Sequence, residues 1–173
     1  MTNDEVWSAV VRWVKAKTGK ITIKSHQSGP SPATPYAMVN FTGAAEVRRW
    51  HSNVEYEHAD TGNIDTGDVY PDVTARPVIE MEWRFSVHAY GEDPTDVLRP
   101  IVSAQKLTQT MEPLFPNLTV HEISQIRNVP DWINEQWQPR AQMDLIVRGI
   151  IRDSAGTVET VEETSPIIIE RQD

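Results

Sequence analysis

The segment Pro77–Asp96, PVIEMEWRFSVHAYGEDPTD, constrains the fold most, because one strand register places a whole apolar series on a single face. Ile79, Met81, Trp83, Phe85, Val87 and Ala89 share one side, and Glu80, Glu82, Arg84, Ser86, His88 and Tyr90 share the other, as a period of two requires. A slip of one residue would expose every apolar group, so the register is strongly specified. Each of these six side chains, once buried, contributes roughly 1.5–3 kcal/mol of gross transfer energy. The polar side of the strand reads most simply as solvated. Gly91 then ends the strand, Asp93 is placed to cap a helix, and Pro94 suits the first helical position, where no amide hydrogen is needed.

The remaining chain alternates short periodic segments with breakers. Thr2-x-x-Glu5 is a capping box, followed by Val6, Trp7, Val10, Val14 and Lys17 at helical spacing, and Gly19 supplies a left-handed exit, so a helix is predicted over Asn3–Thr18. Strands are expected at Ile21–Lys24 and Tyr36–Phe41, with a Ser/Gly/Pro loop between them at 28–32. Residues 46–57 read as one extended segment with poorly separated faces, as at an edge or interface. Residues 59–72 read as a long exposed acidic loop. A second helix is expected from Pro94 to about Met111, strained by Pro100, and further strands at 118–126 and 141–152. Asp153–Gly156 reads as a hairpin turn returning into residues 157–162, with Ile167–Ile169 as a last pairing segment. Strands outnumber helices and no βαβ rhythm repeats. The expectation is therefore an α+β fold: a single domain over 1–173, with a mainly antiparallel sheet, two principal helices packed on it and the 59–72 loop inserted.

Composition narrows the chemistry. With 16 basic and 25 acidic residues the formal charge is −9, opposite to that of a protein that clamps nucleic acid by displacing counterions. The chain has no cysteine, so disulfides and thiolate-based zinc sites are absent. Asp60-Thr61-Gly62 and Asp65-Thr66-Gly67 resemble aspartic-protease triplets, but neither follows an apolar strand, and five residues cannot supply two facing lobes. The same loop fails as a calcium-binding EF-hand, since Pro71 stands where a bidentate glutamate is needed. His26, His51, His58, His88 and His121 lack metal-ligand spacing and read as surface residues, and no serine has a nucleophile context. Arg48-Arg49-Trp50-His51 pairs base with aromatic, but Glu46, Glu55 and Glu57 offset its charge. No catalytic residue, metal or cofactor is nominated. Trp132 and Trp137, in a segment bracketed by Pro130 and Pro139, read either as core anchors beneath a loop or as interface anchors on a partner surface.

The order of features carries a resemblance: a first helix, Pro35-Tyr36-Ala37-Met38-Val39, the long strand closing on Tyr90-Gly91 before an Asp-led helix, and the late strand opening Arg140-Ala141-Gln142-Met143-Asp144. In this order the chain resembles the neck or tail terminator proteins of tailed bacteriophages, over most of its length. Pro100 and the acidic 59–72 loop depart from the family pattern. The resemblance implies a structural virion protein, not an enzyme. Such a protein forms a homohexameric ring that caps the tail tube, stops its polymerisation and joins it to the neck connector or stopper protein while DNA passes without specific binding. It also implies location at the neck–tail junction, after assembly in the host cytoplasm and without a membrane partner. Asp60, Asp65, Asp68 and Asp72 are then candidates for the lumen or for a contact with an adjoining ring, where like charge keeps a sliding duplex from sticking. A head-completion protein of the neck is the alternative assembly role, and a hydrolase built on Asp-Thr-Gly the remote enzymatic one.

Overall fold

A computed structural model describes residues 1–48, 53–58, 73–107, 114, 117–133, 135–152 and 156–158. The chain divides into two compact units, Met1–His51 with Ile79–Ile151, and Ser52–Val78 with Arg152–Asp173. The fold is α+β, with two helices and a mostly antiparallel sheet.

In the first unit, helix α1 spans Asn3–Thr18. Thr2 Oγ1 accepts from the Glu5 amide, the Glu5 carboxylate accepts from the Thr2 amide at 2.6 Å, and Gly19 leaves at φ 65°, so both ends form as the sequence predicts. The sheet runs β1 (Ile21–Lys24), β2 (Tyr36–Glu46), β4 (Val73–Tyr90), β9 (Arg140–Arg152), β5 (Leu118–Ile123), and β6 (Arg127–Asn128) also pairs with β9. β1 lies parallel to β2, while β2 is antiparallel to β4 and β5 to β9. Helix α2, Pro94–Ala104, follows β4. Val6, Val10, Trp13 and Val14 of α1 and Leu98 and Ile101 of α2 pack into one core with Ala37, Val39, Trp83, Phe85, Val87, Met143, Leu145 and Val147. Trp83 is completely buried and donates its indole hydrogen to Asn3 Oδ1 at 2.9 Å; the Trp7 indole donates to the Val39 carbonyl at 3.0 Å. Apolar alternation and satisfied indoles together tie the helices to the sheet.

In the second unit, β3 (Asn53–His58) and β10 (Gly156–Val158) both pair antiparallel with the first part of β4. Glu55 accepts a bidentate bond from Arg152 at 2.7 and 2.8 Å.

Several expectations are corrected. β2 continues past Phe41 to Glu46 through a bulge at Thr42, whose hydroxyl donates to the Arg84 carbonyl, so residues 46–57 are not one strand: β2 ends at Glu46 and β3 begins at Asn53. The segment after Leu118 breaks at Ile123 instead of running on to Ile126, and α2 stops at Ala104. Asp93 stands at the cap position of α2 in the left-handed region, φ 47°, and its side chain makes no capping bond. Its carbonyl instead accepts from the Asp96 and Val97 amides. Residues 156–158 do not fold back on β9 as a hairpin; they pair with Val73–Ala75, because the long β4 offers free ladder groups there. The 59–72 loop, the turn residues 153–155 and Ile167–Ile169 lie outside the described residues.

Candidate protein–protein interface

On the sheet face turned away from the core the expectation of a solvated strand holds at Arg84, which is exposed, and fails at Glu82 and His88. Glu82, Ser86, His88 and Tyr90 of β4 are all buried, because β2 and β9 flank this part of β4 and their side chains stand beside it at matching height. Glu82 accepts from Arg84 Nε at 3.0 Å and from Arg148 Nε and Nη2 at 3.2 and 3.0 Å. Burial works to raise the Glu82 pKa, but hydrogen bonds from Arg148 and Arg84 prevail and hold it below the ordinary 4.5. Ser86 Oγ accepts from Gln142 Nε2 at 2.9 Å, and Tyr90 stacks on Tyr36 with ring centroids 4.9 Å apart. His88 is not the surface histidine expected from the sequence. Burial, assisted by the nearby Arg140 charge, lowers its pKa below 6.5 and keeps the imidazole neutral at pH 7. Burial likewise raises the Tyr90 pKa.

At the end of this face the chain builds a small hairpin, β7 (Asp131–Ile133) and β8 (Gln136–Gln138). Its base is braced by charge and backbone. Arg140 pairs with Asp131, Arg127 with Asp144 at 2.6 Å, the Val129 amide donates to the Arg140 carbonyl at 2.8 Å, and the Gly91 amide donates to the Pro139 carbonyl at 3.2 Å. Gly91 is required here: its φ is 113°, and a Cβ would stand 3.1 Å from the Pro35 Cα. The two-residue connection has Glu135 at φ 60°, the positive value tight hairpin loops need.

This brace presents Trp132 and Trp137 directly opposite each other, edge to face at 5.0 Å, yet 58% and 66% exposed. They are therefore not core anchors. Val129 at the base and Ile133 on the opposite face of the hairpin are exposed as well. Such a pair of indoles, fixed on a braced backbone, offers large contact area at small entropy cost. The sequence reading did not resolve the hairpin; its available signal was the two-residue Asn134-Glu135 connection between aromatic segments. Asp60, Asp65, Asp68, Asp72 and both Asp-Thr-Gly triplets lie outside the described residues, as do Arg49 and Trp50. Among the described residues no three His, Cys, Asp or Glu side chains gather as a metal site, and no helix is long and apolar enough to cross a membrane.

No curated protein matches the sequence. Solved chains do match, and one of them aligns at 15% identity over 86% of this chain and 96% of that one, with a TM-score of 0.39. The family match is of another order, since the model of the phage neck terminator proteins covers residues 4–173. On that match, essentially the full length of the sequence, the chain belongs to the phage neck terminator protein family, whose members are structural proteins of the virion neck.

Proposed function

We propose that this protein assembles in the host cytoplasm as a homohexameric ring that caps the finished tail tube, stops its polymerisation and gives the neck connector its docking surface. The family supplies the place in the virion. The observation that carries the reading further is the braced hairpin that holds Trp132 and Trp137 in solvent, outside the core cluster, as an interface anchor. The excess of acidic residues suits a channel through which DNA slides, because it offers the duplex no counterion-releasing contact. Asp60, Asp65, Asp68 and Asp72 are assigned to the lumen or to the facing ring on the same ground. Light scattering over a concentration series, followed by negative-stain imaging, tests the ring; closed six-fold particles are expected. Purified tail tube protein polymerised in the presence of this chain tests the cap, and tubes growing on unchecked would refute it. Replacing the four aspartates by asparagine with DNA passage undiminished would remove the lumen assignment.

A further inference from the structure

The first unit carries a second exposed surface, beside its two helices. Where the last turns of α1 and α2 lie side by side, an open groove of ≈ 420 Å³ is lined by Ala16, Lys17, Arg99, Pro100, Ser103 and Leu107. Its floor is small and apolar and includes the core residue Ala104, and its edge carries Lys17 and Arg99, the latter paired with Asp96 at 3.1 Å. The hairpin is its chemical complement, with two exposed indoles followed by a carboxylate, Glu135, at the turn. Patch and groove are different surfaces of one chain. A contact between them in different copies is therefore heterologous, the kind that builds a ring when its rotation closes and a filament when it does not.

We propose that the Trp132–Trp137 hairpin of one copy seats in the α1–α2 groove of the next, with Glu135 against Lys17. This deepens the ring reading above and rests on it. Pro100, unexpected inside a helix, then has a use: its ring lines the groove and gives the indoles a rigid apolar surface. Lys17, placed by the sequence on the helix period and half-buried in the structure, becomes the cationic rim and not part of the core.

The chain has no cysteine, so introduced pairs report cleanly. Glu135→Cys and Lys17→Cys, the two positions the contact brings together, are prepared as separate proteins, assembled together and oxidised. A disulfide-linked dimer in the mixture, absent from either variant alone, is the expected result. Six-fold particles that form without this cross-link would overturn the contact while leaving the ring reading intact; a chain that stays monomeric at every concentration would overturn both. Two further variants separate contact from folding. Trp137→Ala, with its circular dichroism unchanged, is expected to weaken assembly about 30-fold, the size of an interface hot spot. Glu135→Lys is expected to weaken assembly and Lys17→Glu, added to it, to restore it; failure of the double variant to recover any assembly would count against the pairing.

Discussion

Trp83 and Trp137 are the same residue type put to opposite uses. Trp83 lies fully buried beneath α1 with its indole hydrogen satisfied by Asn3, while Trp137 stands on a three-residue strand with two-thirds of its surface in water. The neighbours decide the difference. β4 is an interior strand that two helices cover, so an indole there is enclosed from several elements; β8 pairs with β7 in a separate two-stranded sheet and contributes no residue to the core. An aromatic residue thus reports burial only through the element that carries it, and a polar alternation on an interior strand does not by itself report exposure. Glu82 and His88 show this, since they occupy the polar phase of β4 and are nevertheless buried between β2 and β9.

The comparison is sharpest in unfolding free energy. Trp83→Ala removes a fully enclosed indole and strands the Asn3 acceptor, and is expected to cost about 3–5 kcal/mol in urea unfolding. A loss under ~1 kcal/mol would mean that the helices do not close over β4. Gly149→Ala tests the same packing from β9. An added Cβ would meet the Asn117 carbonyl oxygen at 2.6 Å and crowd the Trp83 ring at 3.3 Å, and since a backbone carbonyl cannot turn aside, a loss of about 1–3 kcal/mol is expected. Trp132→Ala or Trp137→Ala should cost only ~0.5–1.5 kcal/mol, the worth of an exposed aromatic pair. A loss as large as that of Trp83→Ala would erase the distinction.

Acid provides a finer separation. The folded pKa of His88 is depressed, so between that value and 6.5 the unfolded chain binds more protons; the stabilisation is fully present above pH 6.5 and declines as pH falls through the folded pKa. Asp144, Asp131, Arg140 and Arg127 all act on His88, so its titration reports on the base of the hairpin and not on the core. His88→Gln is expected to flatten the dependence of unfolding free energy on pH between 7 and 5, and an unchanged slope would show that this ring carries no linkage. Glu82, depressed below 4.5, adds a second decline at lower pH, which Glu82→Gln should remove.

Much of this was legible in residues. The Thr2–Glu5 capping box, the Gly19 exit and the alternation of β9 are local patterns that fold as they read, and the apolar phase of β4 is buried from Trp83 to Ala89, while Ile79 and Met81 are only half-buried. The family resemblance rested on the same local features in order, above all Tyr90-Gly91 and the Arg140–Asp144 opening of β9. What was misread depends on distant partners. The bulge at Thr42 follows from the ladder with β4, the pairing of Gly156–Val158 follows from the spare length of β4, and the placement of Glu82 and His88 follows from strands far away in the chain. The predicted acidic site lies outside the described residues, while Trp132 and Trp137, ambiguous in sequence, became a defined pair once β7 and β8 were seen to face each other.

The sequence by itself determined the register of the central strand, the ends of α1 and the absence of thiol chemistry, because each depends on side-chain period, local hydrogen bonds or composition. Only the tertiary structure decided which tryptophans are core and which are surface, and which carboxylate and imidazole are enclosed. Burial is a property of what packs against a residue, and those neighbours come from elsewhere in the chain.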